Sequence, residues 1–366
     1  MKIALAHEYF SARGGAEAVA HVFHEMWPDA PVYTFFHDRA RYGPLDGWRI
    51  VTSSLQSFPI GGGRHRLLLP LYPSAARRLR VSDDVNVVLV STSAFIKGLA
   101  LGDDTAEVAY CHSPTRYLWD WSEEYLREEV PAVLHAPVRE LLARLRETDL
   151  EMARRVDRWI ANSSVVARRI REYYGRESEV VHPPVDVDAY DARADRGDHW
   201  LFIGRLSAYK RADLAVRAFA RTGRRLIVVG EGRERESLEK DASQNVVFTG
   251  RVDERTKREL LATARGLVFP AEDDFGIVCV EALAAGAPVV ALRAGGAPEI
   301  VRDGIDGVLF DAPDPALVEA AVQRAESTRW DPRALKQSAR RFDLPRFQER
   351  IRELVNDAAR VGRAIA

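Results

Sequence analysis

Cysteine is nearly missing from this chain: two in 366 residues, Cys111 and Cys279. So far apart, they give neither metal-ligand spacing nor a disulfide framework, and they point to a reducing compartment. A surplus of charge is missing too. Lys and Arg number 53 and Asp and Glu 54, a net charge of -1, which argues against a dedicated nucleic-acid binder, usually a clearly basic protein. There is no run of about 18 apolar residues, so no span of a membrane is expected. The apolar stretch of MKIALAHEYF is too short for a signal peptide, so the expected place is the cytoplasm. No G-x-G-x-x-G follows a strand, which counts against a nicotinamide or flavin site. No Asp-x-Asp stands on an obvious metal-binding loop, since DVD (186–188) reads as turn and solvent, so neither a metal nor a cofactor is expected.

What is present is alternation. Short apolar strands are expected at 2–6, 85–90, 107–111, 158–162 and 179–182. A second set is expected at 200–204, 225–230, 246–250, 266–270 and 288–292, with helical patterns between. Near-continuous apolar strands spaced by helices indicate α/β architecture with parallel sheets covered on both faces. A chain of 366 residues is too long for one ordinary core and suits two domains. Pro183-Pro184 and the acidic stretch after them read as a linker. The expected domains are 1–184 and 185–345, both Rossmann-like. The helical segment 346–366 is expected to pack on the first.

In doubly wound sheets, ligands bind at the carboxyl ends of strands. Gly14-Gly15 follows the first strand and opens a helical pattern, where a phosphate can approach backbone amides. Gly204 ends a strand, and Arg205 and Lys210 follow before a helix. Cations at a helix start oppose its dipole, a placement easier to accept where a diphosphate binds them. VVGEG (228–232) ends another strand at Gly232. FTGRV (248–252), with Arg251 and Val252, offers backbone groups to a base.

The stretch AEDDFGIVCVEALAAG (271–286) asks for explanation. It holds Glu272, Asp273 and Asp274 in a row, then Phe275-Gly276, then an apolar helix interrupted by Glu281. Asp273 and Asp274 can cap the helix N-terminus, but capping explains neither three acids nor Glu281. A carboxylate in an apolar run needs a partner, and ribose hydroxyls would donate to Glu281.

Gly204-Arg205 with Lys210, then Asp273-x-Phe275-Gly276-x4-Glu281, resembles the retaining GT-B glycosyltransferases of family four. AYCHSPTRYLWDWSEEYL (109–126) and HEYFSARGGAEAV (7–19) resemble a bacterial branch that includes O-antigen and polysaccharide mannosyltransferases. The resemblance implies two facing Rossmann-like domains with a cleft between them and a C-terminal helix returning to the first domain. It implies that Gly15 approaches the donor diphosphate, and that Arg205 and Lys210 neutralise it. Glu281 would hold the ribose diol. The amides of Phe275, Gly276, Ile277 and Val278 would meet phosphate and sugar. His112 would stand near the sugar C6 hydroxyl and the reacting centre. His112, Asp273, Arg205 and Lys210 would be the catalytic set. The family usually has Glu at the first acid of this motif. Here it is Asp273, one methylene shorter, and Glu272 stands one position too early, which bears on the donor sugar.

The implied reaction is transfer of a hexose, with retention, from a nucleotide sugar to a hydroxyl of a glycan or lipid-linked oligosaccharide. Folds of this kind neutralise the leaving diphosphate with cations and helix dipoles rather than a metal. GDP-mannose is the donor the branch implies, with a UDP-hexose as the alternative. Two other classes remain open: a nucleotide-sugar epimerase and a non-catalytic nucleotide-sugar binder. The basic, leucine-rich stretch 64–80, with Arg64, Arg66, Arg77 and Arg78, and with Arg116 beyond it, is a candidate acceptor or membrane surface. It would hold the protein peripherally at the inner face of the membrane.

Overall fold

The computed structural model describes residues 1–58 and 68–365, of which 128, 129 and 361–365 are described by backbone only. The chain divides into two compact units, Met1–His182 with Gln348–Ala366, and Pro183–Phe347.

The first unit is built on seven parallel strands: β1 (Ile3–His7), β2 (Val32–Thr34), β3 (Ile50–Thr52), β4 (Val87–Thr92), β5 (Ala106–Cys111), β6 (Arg158–Ala161) and β7 (Ser178–Val180). Their order across the sheet is β3-β2-β1-β4-β5-β6-β7. Every residue of β4 and β5 is buried, as expected of central strands with helices on both faces. The order reverses between β1 and β4, so the loops after β1, β4 and β5 meet at a switch point.

The second unit repeats the plan with six parallel strands: β8 (Trp200–Ile203), β9 (Leu226–Val229), β10 (Val246–Gly250), β11 (Gly266–Phe269), β12 (Val289–Leu292) and β13 (Gly307–Phe310). Their order is β10-β9-β8-β11-β12-β13, so the reversal lies between β8 and β11. Helix ends carry local signals. Ser163 caps the helix Ser164–Tyr174 by accepting a hydrogen bond from the Val166 amide at 3.2 Å, and Gly175 ends that helix at φ 62°. Asp253 caps the helix Glu254–Thr263 through the Thr256 amide at 2.7 Å.

The ten expected strands are all present, within two residues at either end. β2, β3 and β13 are additional. The first two have three residues each, too short to show a pattern. The stretch after Pro183-Pro184 is not the solvated linker expected of it. Val185, Val187 and Tyr190 are buried in the core of the second unit. Asp186 caps a short 3-10 turn through the Ala189 amide at 3.3 Å, and Asp188 pairs with Arg340. The last helix, Leu344–Ile365, has its residues from Gln348 onward in the first unit. Arg350 there pairs with Glu179 at 2.5 Å. Among the described residues no helix is long and apolar enough to cross a membrane.

Candidate active site

In the second unit the loops after β8, β9, β11 and β12 stack backbone on backbone. Gly204 N donates to Val229 O at 3.0 Å, and Leu206 N to Glu231 O at 2.9 Å. A Cβ on Gly232 would stand 1.9 Å from Leu206 O, and one on Gly230 the same distance from Gly204 O. Gly232 therefore has a packing reason of its own. Gly204 has none so severe, since a Cβ there would meet only the Phe202 ring at 3.7 Å.

This stacking brings Lys210 to Asp273. Lys210 Nζ donates to Asp273 Oδ2, with side-chain exposures of 17% and 19%. Burial acts to lower the Lys210 pKa, but Asp273 foremost, with Tyr209 and Asp274, outweighs it and raises it. Arg205 is exposed and pairs with no carboxylate among the described residues. Glu272 is exposed as well, and Arg251 too, with Val252 half-buried beside it.

The helix Ile277–Ala284 starts at Gly276, whose φ of 90° suits glycine and whose Cβ position lies 2.8 Å from the Phe269 ring. Gly276 at its N-cap has no side chain to offer as a cap. Asp273 is turned to Lys210 and to the Asp274 amide, 3.1 Å away. The loop is braced from below by Gly296 N, which donates to Asp273 O at 2.9 Å. Phe275 and Val278 are buried in the core, so for a ligand they offer backbone only.

Glu281 has protein partners. Lys257 Nζ donates to its Oε1 at 2.8 Å, and Tyr190 hydrogen-bonds to it as well. Burial acts against the Lys257 charge, yet Glu281 and Glu254 raise its pKa. Burial and then Glu281 push the Tyr190 hydroxyl up. Sequence reasoning missed both residues. Lys257 stands among charged neighbours of a helix that reads as solvated, and Tyr190 stands in the apparent linker.

In the first unit, His112 follows β5 and is half-buried. Its Nε2 lies 2.7 Å from Ser91 Oγ at the end of β4, and Ser91 Oγ lies 2.9 Å from His7 Nδ1 at the end of β1. Its amide donates to Thr92 O, and Asn162 donates to its carbonyl at 2.8 Å. Burial first, and then His7, push its pKa down to about 3. The loop beyond is anchored on buried Asp149, which takes hydrogen bonds from Thr115 (2.8 Å), Trp119 (3.0 Å), Tyr174 (2.9 Å) and Lys97 (2.6 Å). The Thr and Trp of the 109–126 stretch thus have a structural duty, and Arg116 is half-buried among them. Gly15 is the exposed first residue of the helix Gly15–Met26.

In the described part of the basic stretch, two arginines have acidic partners. Arg77 pairs with Glu151 and Arg80 with Asp83, both at 2.8 Å, while Arg78 is exposed. Arg64 and Arg66 lie outside the described residues.

Residues 13–189 match the family model described as Glycosyltransferase Family 4, and residues 197–327 match Glycosyl transferases group 1. The chain belongs to the family-four glycosyltransferases. A D-inositol 3-phosphate glycosyltransferase of Nocardiopsis dassonvillei is 33% identical over 216 residues, 50% of each chain. One of Acidothermus cellulolyticus is 33% identical over 202 residues, 46% of this chain and 45% of its own length. The chain thus spans about half the length of the curated relatives it matches. Anabaena HepE, solved in complex with UDP-glucose, is similar over 98% of this chain and 100% of its own, with a TM-score of 0.71 at 19% identity. These family-four matches and the two doubly wound sheets make the fold GT-B.

Proposed function

We propose that this family-four protein transfers a hexose, with retention at the anomeric carbon, from a nucleoside-diphosphate sugar to an acceptor hydroxyl. The observation that carries the reading is the meeting of Lys210 and Asp273 at the carboxyl ends of β8 and β11, beside exposed Arg205 and the start of the helix at Ile277. Cations, the amides at a helix N-terminus and a helix dipole suit a diphosphate. Arg205 grips it through paired hydrogen bonds, and Lys210 as a point charge. Glu281, oriented by Lys257 and Tyr190, takes the ribose diol.

The bond between the anomeric carbon and the phosphate oxygen breaks as the acceptor oxygen attacks from the same face. The acceptor proton passes to the leaving phosphate oxygen. Arg205, Lys210 and the amides at 275–278 stabilise the charge that develops there, without a metal. His112, neutral at neutral pH, binds a sugar hydroxyl near the reacting carbon.

GDP-mannose is the first donor to test, on the resemblance of residues 109–126. A UDP-hexose is the second, since HepE of the same fold holds UDP-glucose. The acceptor in this reading is a glycan or a lipid-linked oligosaccharide met at the inner face of a membrane.

The test is thermal stabilisation by GDP, UDP, ADP and NAD, each with and without magnesium, followed by turnover with the matching sugar nucleotide. A ligand at about 100 times its dissociation constant adds about 2.7 kcal/mol. A shift with GDP, indifferent to magnesium, is expected, and a shift with UDP moves the donor to a UDP-hexose. A shift with NAD alone, or with none of the four, overturns the reading.

A further inference from the structure

The first unit holds a chain of polar contacts of which the reading above uses only the last member. Glu17 Oε1 lies 3.9 Å from His7 Nε2, His7 Nδ1 lies 2.9 Å from Ser91 Oγ, and Ser91 Oγ lies 2.7 Å from His112 Nε2. Glu17 comes from the first turn of the helix Gly15–Met26. Sheet register sets His7 beside Ser91, and Ser91 beside Tyr110, two residues before His112. His7 and Ser91 are buried, so water does not intrude on the contact between them.

Such a chain has a direction. A hydroxyl has one hydrogen, so Ser91 donates to one imidazole and accepts from the other. With a single hydrogen on the His7 ring, the Glu17 carboxylate 3.9 Å from Nε2 favours that hydrogen on Nε2, the nitrogen that faces it. His7 Nδ1 then carries a lone pair, and Ser91 donates to it. The Ser91 oxygen in turn accepts from His112, which must carry its hydrogen on Nε2. Burial keeps the His112 ring neutral at neutral pH, so its Nδ1 is bare. Among the described residues His112 Nδ1 has no protein partner.

We propose that Glu17, His7 and Ser91 are positioning residues that fix the direction of this chain, so that His112 meets its ligand with an acceptor nitrogen. The tautomer stands on these contacts alone; the identity of the ligand rests on the transferase reading. An acceptor nitrogen takes a hydrogen bond from a sugar hydroxyl and repels a carboxylate, which has no hydrogen to give. The position beside His112 therefore takes a neutral hexose and rejects a hexuronic acid.

Histidine-selective 15N labelling of the full chain tests this. The nine histidines include His112 and His7, which are assigned with His112→Gln and His7→Gln, and two-bond 1H–15N correlations read each tautomer. The hydrogen of His112 is expected on Nε2 in the wild type, with a measurable fraction moving to Nδ1 in Glu17→Gln. Glu17→Asp, which keeps the charge, restores the wild-type pattern in part. Hydrogen on His112 Nδ1 in the wild type, or a tautomer indifferent to Glu17→Gln, overturns the proposal whatever the protein transfers. In turnover, Glu17→Gln is expected to lower kcat roughly tenfold, the effect of one hydrogen bond, with KM little changed. Its preference for GDP-mannose over GDP-mannuronic acid, or UDP-glucose over UDP-glucuronic acid, is expected to narrow. Transfer with an unchanged preference sinks the specificity claim and leaves the transferase reading standing. Absence of transfer with every donor sinks that reading and leaves the tautomer measurement to decide the direction of the chain.

Discussion

Lys210 and Asp273 pair at the carboxyl ends of β8 and β11, so the diphosphate of the proposed donor would compete with a carboxylate for the same ammonium. Lys210→Ala is expected to lower kcat by about 10²–10³-fold, the loss typical of one preorganised donor to a developing charge. Asp273→Asn separates the two duties of the pair. It frees Lys210, so titration calorimetry is expected to show tighter binding of the free nucleoside diphosphate, while turnover falls. Equal weakening of both would mean that Asp273 serves the phosphate site only by holding Lys210 in place. At this scale the sequence was legible where chemistry is local. Arg205, Lys210 and the acids at 272–274 can be picked out because cations at a helix start and three acids in a row are awkward in themselves. Lys257 was not legible, because a lysine among Glu254, Arg255 and Arg258 looks ordinary. Only the fold carries it to within 2.8 Å of Glu281.

At the scale of elements, the loops that follow the strands hold one another through backbone. Gly232→Ala would set a Cβ 1.9 Å from Leu206 O, and neither partner is the far end of a flexible side chain. Denaturant unfolding is expected to show a loss of roughly 1–3 kcal/mol, with weaker nucleotide binding as the Arg205 loop is pushed aside. Strand β5 carries a different cost. Glu107 is buried within it, its Oε1 has no hydrogen-bond partner among the described residues, and its pKa is pushed up to about 8, by burial first. The folded state therefore holds a proton that the unfolded chain releases from about pH 4.5 upward. The stability linked to this proton is fully present below that pH and is lost as pH rises toward 8. Glu107→Gln is expected to flatten this slope and to leave the first unit more stable than wild type above pH 8, as read by urea unfolding across the range. An unchanged slope would show that Glu107 stays ionised in the fold.

At the scale of the whole molecule, the chain closes its first unit with its last residues. Ile351, Leu354 and Val355 of the final helix are at most 1% exposed, and residues from Gln348 onward group with Met1–His182. A chain ending at Phe347 is expected to lose stability in the first unit while the second keeps its own. Hydrogen exchange read separately in β1–β7 and β8–β13 distinguishes the two, and equal loss in both sheets would contradict this division.

The positions of ten of the thirteen strands, the parallel class of both sheets and the place of Arg205 and Lys210 just after β8 were determined by the sequence alone. Continuous apolar runs of four to six residues can be buried only between covering helices, and that pattern is local. Three-residue strands carry too little pattern to be read, and the apparent linker after Pro184 hides Val187 and Tyr190 because alternation with acids looks solvated. The partners were decided by the tertiary structure. Lys210 with Asp273, Lys257 with Glu281, and the chain from Glu17 to His112 join residues from 10 to 84 positions apart. Charge and hydrogen bonding act over a few ångströms in space, and no spacing along the chain records which distant loop the sheet will bring alongside.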